Sequence, residues 1–211
     1  MPPLLGVVMT LRKKHDSPAA VLYNKTNEKG VRPMVKTTKR RKMLGDPNGP
    51  LCREMMRQIE TQSRDTLANW ALDFVQKRYE PIFREQRPED LRMQQLLALC
   101  QAAQAGQVTR KEEKAAIQTA RKALGELAQE PVAEAAARAI VTACGVYQTP
   151  TNALGFLFYG AAAVVYHQEG LSQTAEYYEQ RAQREWEEAI QSLKEVSVAD
   201  EPNPVKVDWN C

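Results

Sequence analysis

Cysteine and histidine are the residues best suited to metal binding or nucleophilic catalysis, and this chain has few of them. It contains Cys52, Cys100, Cys144, Cys211, His15 and His167. The cysteines lack the C-x-x-C spacing of zinc and redox sites, and two histidines are too few for a histidine-rich metal site. We expect free thiols in a reducing cytosol, with no metal and no cofactor. A pair between Cys144 and His167 is an alternative, although a helix-end histidine bonded to carbonyls or solvent is the simpler interpretation.

Adjacent carboxylates occur at Glu112–Glu113 and at Glu187–Glu188. Neighbouring residues on a helix point in different directions, so neither pair has the geometry of a general acid and base. We interpret both pairs as parts of solvated helix faces. The sequence therefore predicts no catalytic residues.

The densest group of charges is the run Lys39, Arg40, Arg41 and Lys42. Clustered cations can neutralise phosphates and drive nucleic-acid binding through counterion release. Tyr23 is the only aromatic residue nearby, and neither a helix-turn-helix nor a zinc pattern accompanies the run. The sequence favours a solvated basic segment over a nucleic-acid site.

Arg121 and Arg138 follow alanines on predicted helices, where a long cation must find an acid or reach solvent. They predict either structural salt bridges or a polar cleft between the third, fifth and sixth helices. Bundle interiors can house ligand sites, so a small-molecule binder or an enzyme is one hypothesis. The residues expected at such a ligand or partner cleft are Asp90, Arg92, Arg121, Arg138, Gln148, Asn152 and Tyr159.

Apolar residues spaced three and four apart predict an all-α protein, an antiparallel bundle of about seven helices. The helices are expected to begin near Leu51, Arg64, Pro88, Thr109, Pro131, Asn152 and Ser172. The second should kink at Pro81, and the fourth should begin with a capping box of Thr109 and Glu112. Small residues at Ala135, Ala139 and Ala143 should let a neighbouring helix approach the fifth closely. The sixth helix is apolar nearly all round, which predicts a central position.

Charge divides the 211 residues into unequal parts. Residues 1–45 carry a net charge of +9 and lack helical periodicity, whereas residues 46–211 carry −6. We expect a loosely ordered basic arm over 1–45, a single helical domain over 46–196 and an extended tail over 197–211. The tail ends in Trp209-Asn210-Cys211, which would dock on the body or on a partner.

Membrane insertion and secretion are not indicated. The longest apolar run, residues 153–166, is fourteen residues long, and a membrane span needs about 20. The apolar run near the amino terminus is short and makes a poor signal peptide. The sequence predicts a cytoplasmic protein.

Several segments resemble one bacterial family. Leu67-Ala68-Asn69-Trp70-Ala71, Pro81-Ile82-Phe83 and Pro88-Glu89-Asp90-Leu91-Arg92 look like the opening of the immunity proteins of polymorphic-toxin systems, an alanine-rich, all-helical family. Residues 136–139, 150–155, 158–163, 201–204 and 209–211 are similar too. The resemblance covers roughly residues 38–211. It implies a helical protein that neutralises a cognate toxin by covering its active surface.

The chain departs from the family pattern at several polar positions. Many members carry two histidines four residues apart where this chain has Gln148 and Asn152, and arginines where it has Gln94 and Gln101. Histidines at that spacing share a helix face and could bind a metal or move a proton. Glutamine and asparagine form hydrogen bonds without titrating at neutral pH. The resemblance therefore implies that this member has lost that polar chemistry.

The leading hypothesis is a non-enzymatic binding protein whose partner is a protein, namely a cognate toxin. An acidic body could oppose a basic nuclease toxin. Two alternatives stay open: a ligand-binding or enzymatic bundle using the cleft, and an accessory protein whose basic arm binds nucleic acid. Alanine and glycine faces are also compatible with a homodimer.

Overall fold

The computed structural model describes residues 40–209, and all regular secondary structure in that range is helical. These residues form eight α-helices: α1 (Pro50–Ile59), α2 (Arg64–Arg78), α3 (Glu80–Gln86), α4 (Arg92–Gln104), α5 (Arg110–Ala123), α6 (Pro131–Cys144), α7 (Asn152–Glu169) and α8 (Ala175–Val196). A 3₁₀ turn, Leu124–Leu127, follows α5 directly. The predicted all-α fold is confirmed. Each helix within residues 40–209 is too short or too polar to cross a membrane.

The predicted second helix is divided in two at Tyr79. Proline at 81 has no N–H to continue the ladder, and its ring clashes with the carbonyl one turn earlier. The chain therefore ends α2 at Arg78 and restarts as α3, with Pro81 in the first turn. Tyr79 bridges the break, because its N–H donates to Val75 at 2.9 Å and its carbonyl accepts from Phe83 at 3.0 Å.

The third predicted helix begins later than its proline suggests. Helix α4 starts at Arg92, so Pro88 lies in the preceding loop instead of the first helical turn. The carboxylate of Asp90 accepts the backbone N–H of Arg92 at 3.1 Å, and the Asp90 N–H donates to the Arg87 carbonyl at 3.0 Å. These side-chain and backbone bonds favour a turn over a helix.

Other helix starts follow local capping chemistry. The predicted capping box is confirmed: Thr109 accepts the Glu112 N–H at 3.3 Å, and the Glu112 carboxylate accepts the Thr109 N–H at 2.9 Å. Helix α8 is capped by Thr174 and not by the expected Ser172. The hydroxyl of Tyr178 bonds to the Gln173 N–H at 3.0 Å, which keeps the preceding turn out of the helix.

Two adjacent helices, α6 and α7, form the core of the bundle. Helix α6 packs on α2, α3, α4, α5 and α7, and α7 packs on α1, α2, α3, α6 and α8. Ala135, Ala139 and Ala143 of α6 are all buried, as their spacing predicts. The predicted centre of the bundle is thus shared between α7 and the alanine-rich α6.

Residues 40–45, which we expected in the loosely ordered arm, pack against the bundle. Leu44 is only 1% exposed, and its N–H donates to the Phe158 carbonyl at 3.0 Å. The indole N–H of Trp186 donates to the Leu44 carbonyl at 3.3 Å. Gly45 has φ +124°, and a Cβ there would lie 2.5 Å from Trp186 Nε1, so only glycine fits. The rest of the arm, residues 1–39, lies outside the described residues.

The described part of the tail lies on the body of the protein. Buried Gln62 accepts the Val198 N–H at 2.8 Å and donates to the Val198 carbonyl at 3.2 Å. Its own backbone carbonyl accepts the Val205 N–H at 2.9 Å. The indole of Trp209 donates to Glu60 at 2.9 Å. Asn210 and Cys211 lie outside the described residues.

Candidate functional site

Asp90 and Arg92 form a rigid polar pair at the start of α4. The Arg92 guanidinium donates to Asp90 through Nε at 2.9 Å and through Nη2 at 2.7 Å, and Nη1 reaches Glu126 at 2.8 Å. The hydrogen bonds from Arg92 lower the pKa of Asp90 below its ordinary value. Arg87 makes a second link, to Glu130 at 2.6 Å. These bonds tie the loop before α4 to the connection between α5 and α6.

A wide surface cleft of about 760 Å³ opens on this loop. Its lining runs from Gln86 to Arg92 and includes Gln95. Leu91 stands at its edge with 50% of its surface exposed. The cleft therefore combines a solvent-exposed apolar side chain with two arginines whose positions are fixed by carboxylates.

Gln148 and Asn152 lie at the connection between α6 and α7. Gln148 donates to the buried Glu113 of α5 at 3.4 Å, and Arg110 donates to the same carboxylate at 3.1 Å. A Cβ added at Gly145 would lie 2.6 Å from Asn152 Nδ2 and 3.1 Å from Arg121 Nη2. Amide and guanidinium groups thus crowd over this glycine, and its missing side chain makes room for them.

The backbone of that connection is held from two sides. Arg64 of α2 donates to the carbonyls of Tyr147 and Gln148 at 2.8 and 3.1 Å. On the α5 side the guanidinium of Arg110 stacks 3.4 Å above the Tyr147 ring. Arg64 thus holds the connection through its carbonyls and Arg110 through ring stacking.

Arg138 takes part in a third, separate group. Its Nε and Nη2 lie 2.9 and 2.8 Å from Oε1 of Glu134, one turn earlier on α6. The guanidinium also lies 5.9 Å from the centroid of the Tyr159 ring. Lys42 donates to the same Glu134 oxygen at 2.7 Å. The structural salt-bridge interpretation of Arg138 therefore fits its surroundings.

The basic run thus contacts the folded body. Arg41 forms an ion pair of 2.5 Å with Glu179 of α8, and Lys42 binds Glu134. Arg40 is exposed, and Lys39 lies outside the described residues. Two of the three described cations are therefore paired with carboxylates of the bundle.

The seven residues expected at one cleft fall into the three groups described above. Asp90 and Arg92 belong to the loop before α4, Arg121, Gln148 and Asn152 to the α6–α7 connection, and Arg138 and Tyr159 to the Glu134 group. The first and third groups each bind a carboxylate, and Arg121 and Asn152 of the second group pack over Gly145.

The thiols and histidine make different contacts from those considered in the sequence. Cys144 is hydrogen-bonded to Cys100, which together with burial raises the pKa of its thiol well above the ordinary value. His167 instead lies 3.7 Å from Glu85. Among residues 40–209 no three histidine, cysteine or acidic side chains come together in a way that could hold a metal ion.

The family assignment rests on a match over most of the helical body. A family described as "Imm-5 like putative immunity protein" matches residues 57–194, well over half of the chain. The chain belongs to this family. No curated protein and no solved structure matches it.

The matched range of this immunity-family protein begins within α1 and ends within α8. It includes the loop before α4, the α6–α7 connection and Glu134. The docked residues 40–45 and the tail after Val196 lie outside it. The resemblance recognised from the sequence is confirmed for the helical body.

Four buried glutamates of the immunity-family protein were not anticipated: Glu80, Glu113, Glu134 and Glu185. The interpretation of Glu112–Glu113 as a solvated face is wrong for Glu113, which is only 1% exposed. Three of them have a local signal, because Arg84 follows Glu80 by four residues, Arg110 precedes Glu113 by three and Arg138 follows Glu134 by four, spacings that place side chains on one helix face. Glu185 has no such signal. Its arginine partner, Arg78, lies 107 residues away in sequence.

Proposed function

We propose that this protein is an immunity protein that neutralises a cognate toxin by direct protein–protein contact. Membership of the immunity family over residues 57–194 is the observation that carries the proposal. Inhibition by contact requires complementary surfaces and no catalytic group. The net charge of −6 on residues 46–211 favours a toxin with a basic contact surface.

The use of the polar side chains supports contact over catalysis. Arg92, Arg110 and Arg138 all bind carboxylates within the same chain. An arginine held in this way is a rigid surface feature and is poorly placed to change protonation or bonding during a reaction. Fixed side chains lose little conformational freedom when a partner binds, which favours tight association.

We place the toxin contact at the cleft before α4. Binding hot spots are enriched in arginine and large side chains that become desolvated near the centre of an interface. The cleft offers Leu91, half exposed, between Arg87 and Arg92, which are both held by carboxylates. A toxin loop with an apolar side chain flanked by basic groups fits this arrangement, because Glu130, Asp90 and Glu126 neutralise the two arginines and leave the surroundings acidic.

Binding of the purified protein to the toxin encoded beside its gene tests the proposal, by calorimetry and by protection of cells that express the toxin. The expected result is a complex with a dissociation constant well below micromolar. Absence of binding at micromolar concentration would overturn the function.

A matched pair of variants tests the surface. Leu91→Asp should weaken binding by about tenfold or more, corresponding to roughly 1.4 kcal/mol. Aspartate is well tolerated immediately before a helix, so α4 should stay folded. Val198→Asp, at a side chain that is 48% exposed in the tail, should bind like the parent. Binding unaffected by Leu91→Asp would overturn the contact surface and leave the function standing.

A further inference from the structure

A small pocket lies where residues 40–42 meet α6 and α7. Its volume is about 180 Å³. Three cations from the docked segment, Arg40, Arg41 and Lys42, line it together with Arg138 of α6. Such a cavity is large enough for one small ion and too small for most metabolites.

The cations around this pocket outnumber the carboxylates. Three nitrogens bind a single oxygen, Oε1 of Glu134: Nζ of Lys42, and Nε and Nη2 of Arg138. Arg41 binds Glu179. Arg40 forms no ion pair within residues 40–209. Four positive charges thus face two negative ones, which leaves an excess of two.

The cations are held in place by the backbone that carries them. The hydroxyl of Tyr166, on the pocket wall, donates to the Arg41 carbonyl at 2.6 Å. Burial raises the pKa of Tyr166 to about 12, so the hydroxyl keeps the proton that it donates. Three residues after Arg41, Leu44 is anchored to α7 and to Trp186. A backbone that is fixed before a ligand arrives lowers the entropic cost of binding it.

The start of α6 adds a favourable field on one side. Pro131, in its first turn, forms part of the pocket wall, and no side chain caps this helix end. The positive end of a helix dipole favours an anion. The dipole supplements the four cations and would not make a site without them.

We infer that this pocket, formed by Arg40, Lys42 and Arg138 at the start of α6, binds one phosphate-type oxyanion. Planar guanidinium groups suit the geometry of such an anion, and a dianion would balance the excess charge. This pocket is separate from the cleft before α4, and its anion binding does not depend on the toxin.

Inorganic phosphate is the probe for the test. Thermal unfolding of the full chain is followed over a phosphate titration and over sodium chloride at matched ionic strength, and calorimetry gives the affinity. Phosphate should raise the melting temperature in a saturable manner beyond the effect of chloride. A phosphate effect no larger than that of chloride overturns the site.

Three variants locate the binding. Arg138→Gln and Arg40→Gln should each weaken phosphate binding by about fivefold or more, since each removes a charged donor. Arg40 is exposed and unpaired within the described residues, so Arg40→Gln should stay folded. It therefore tests the site even if Arg138→Gln does not fold. Arg84→Gln is the matched control, because Arg84 also follows a largely buried glutamate by four residues, at 3.8 Å. Equal effects in all three variants would overturn the assignment.

Binding of adenosine monophosphate tests whether the pocket accepts a phosphate ester as well as free phosphate. Binding at least as tight as phosphate would show that the pocket takes phosphate esters, and binding of phosphate alone would show that it takes the free ion. Either result supports the site, and binding of neither compound overturns it.

Discussion

The hydroxyl of Tyr79 donates a 2.9 Å hydrogen bond to Oε1 of Glu185 inside the bundle. Tyr79 lies at the break between α2 and α3, and Glu185 lies in the middle of α8, so the bond joins two distant parts of the chain. Arg78 binds the other oxygen of Glu185 and reaches Glu188 at 2.6 Å. Burial raises the pKa of Tyr79 well above its ordinary value, which keeps the hydroxyl protonated.

Tyr79→Phe is expected to destabilise the protein by about 1–3 kcal/mol, because it leaves the buried Oε1 of Glu185 with only the long 3.4 Å bond from Arg78 Nε. The free energy of unfolding in urea measures the effect. Tyr177→Phe is the control, since the hydroxyl of exposed Tyr177 bonds to Glu169 at the surface, and its midpoint should not change. Equal midpoints for parent and Tyr79→Phe would contradict a structural role for the bond.

Glu185→Gln should change the pH dependence of stability. Burial raises the pKa of Glu185, and the bonds from Arg78 and Tyr79 offset that effect only in part. A raised folded-state pKa means that the stability contributed by this group is present below the ordinary value of 4.5 and is lost as the pH rises through the folded pKa. The non-titrating variant should therefore gain stability relative to the parent from pH 4 to pH 7. Unfolding curves across this range measure the difference, and a constant difference would contradict the raised pKa.

Alanine substitutions at two glycines of α7 should have opposite effects on the stability of the protein. A Cβ at Gly160 would lie 2.1 Å from Cζ of the fully buried Tyr79, so Gly160→Ala should destabilise by about 1–3 kcal/mol or more. At Gly155 the nearest atom is Thr142 Cγ2 at 3.7 Å, an ordinary contact. Gly155→Ala should therefore stabilise the helix by about 0.5–1 kcal/mol. Thermal unfolding of both variants checks the contrast, and a shared sign would contradict it.

The helices could be predicted because their signals are local. Apolar spacing, the Thr109 cap and Pro131 act within one or two turns, and the structure reproduces them. Pro81 has the expected kind of effect, but it divides the helix instead of bending it. The start of α4 depends on a side-chain bond from Asp90 to a backbone N–H, a competition that the proline rule does not include.

The site could be predicted less well because its contacts are distant in sequence. Lys42 and Glu134 are 92 residues apart, and Tyr79 and Glu185 are 106 residues apart. Leu44 is a single apolar residue beside a basic run, so no periodic pattern indicates its burial. The residues of the expected cleft were chosen by type, and only the packing of α4, α5 and α6 separates them into groups.

Arg138→Gln should make the protein less stable at neutral pH than in acid, relative to the parent. Burial alone would raise the pKa of Glu134, but the hydrogen bonds from Lys42 and Arg138 outweigh burial and lower it. A lowered folded-state pKa gives stability that is present above the ordinary value of 4.5 and is lost as the pH falls through the folded pKa. The variant should lose about 1–2 kcal/mol at pH 7, because Lys42 still binds the carboxylate.

That loss should shrink as the pH falls below 4.5, the ordinary glutamate value. Urea unfolding at several pH values measures it. The control Arg84→Gln should differ little from the parent throughout, because its side chain is 59% exposed and the ion pair is long. A loss that is independent of pH would indicate that Arg138 acts through packing and not through Glu134.

Gln62→Ala is expected to release the tail from the body. The Gln62 side chain is buried and bonds to both the N–H and the carbonyl of Val198, so its removal should cost about 1–3 kcal/mol. Trypsin should then cleave faster after exposed Lys206, which mass spectrometry detects. Thr119→Ala serves as control, because Thr119 is exposed and its hydroxyl bonds to the Ala115 carbonyl within α5. An unchanged rate of cleavage in Gln62→Ala would mean that the packing of Val205 and the bond from Trp209 to Glu60 suffice to hold the tail.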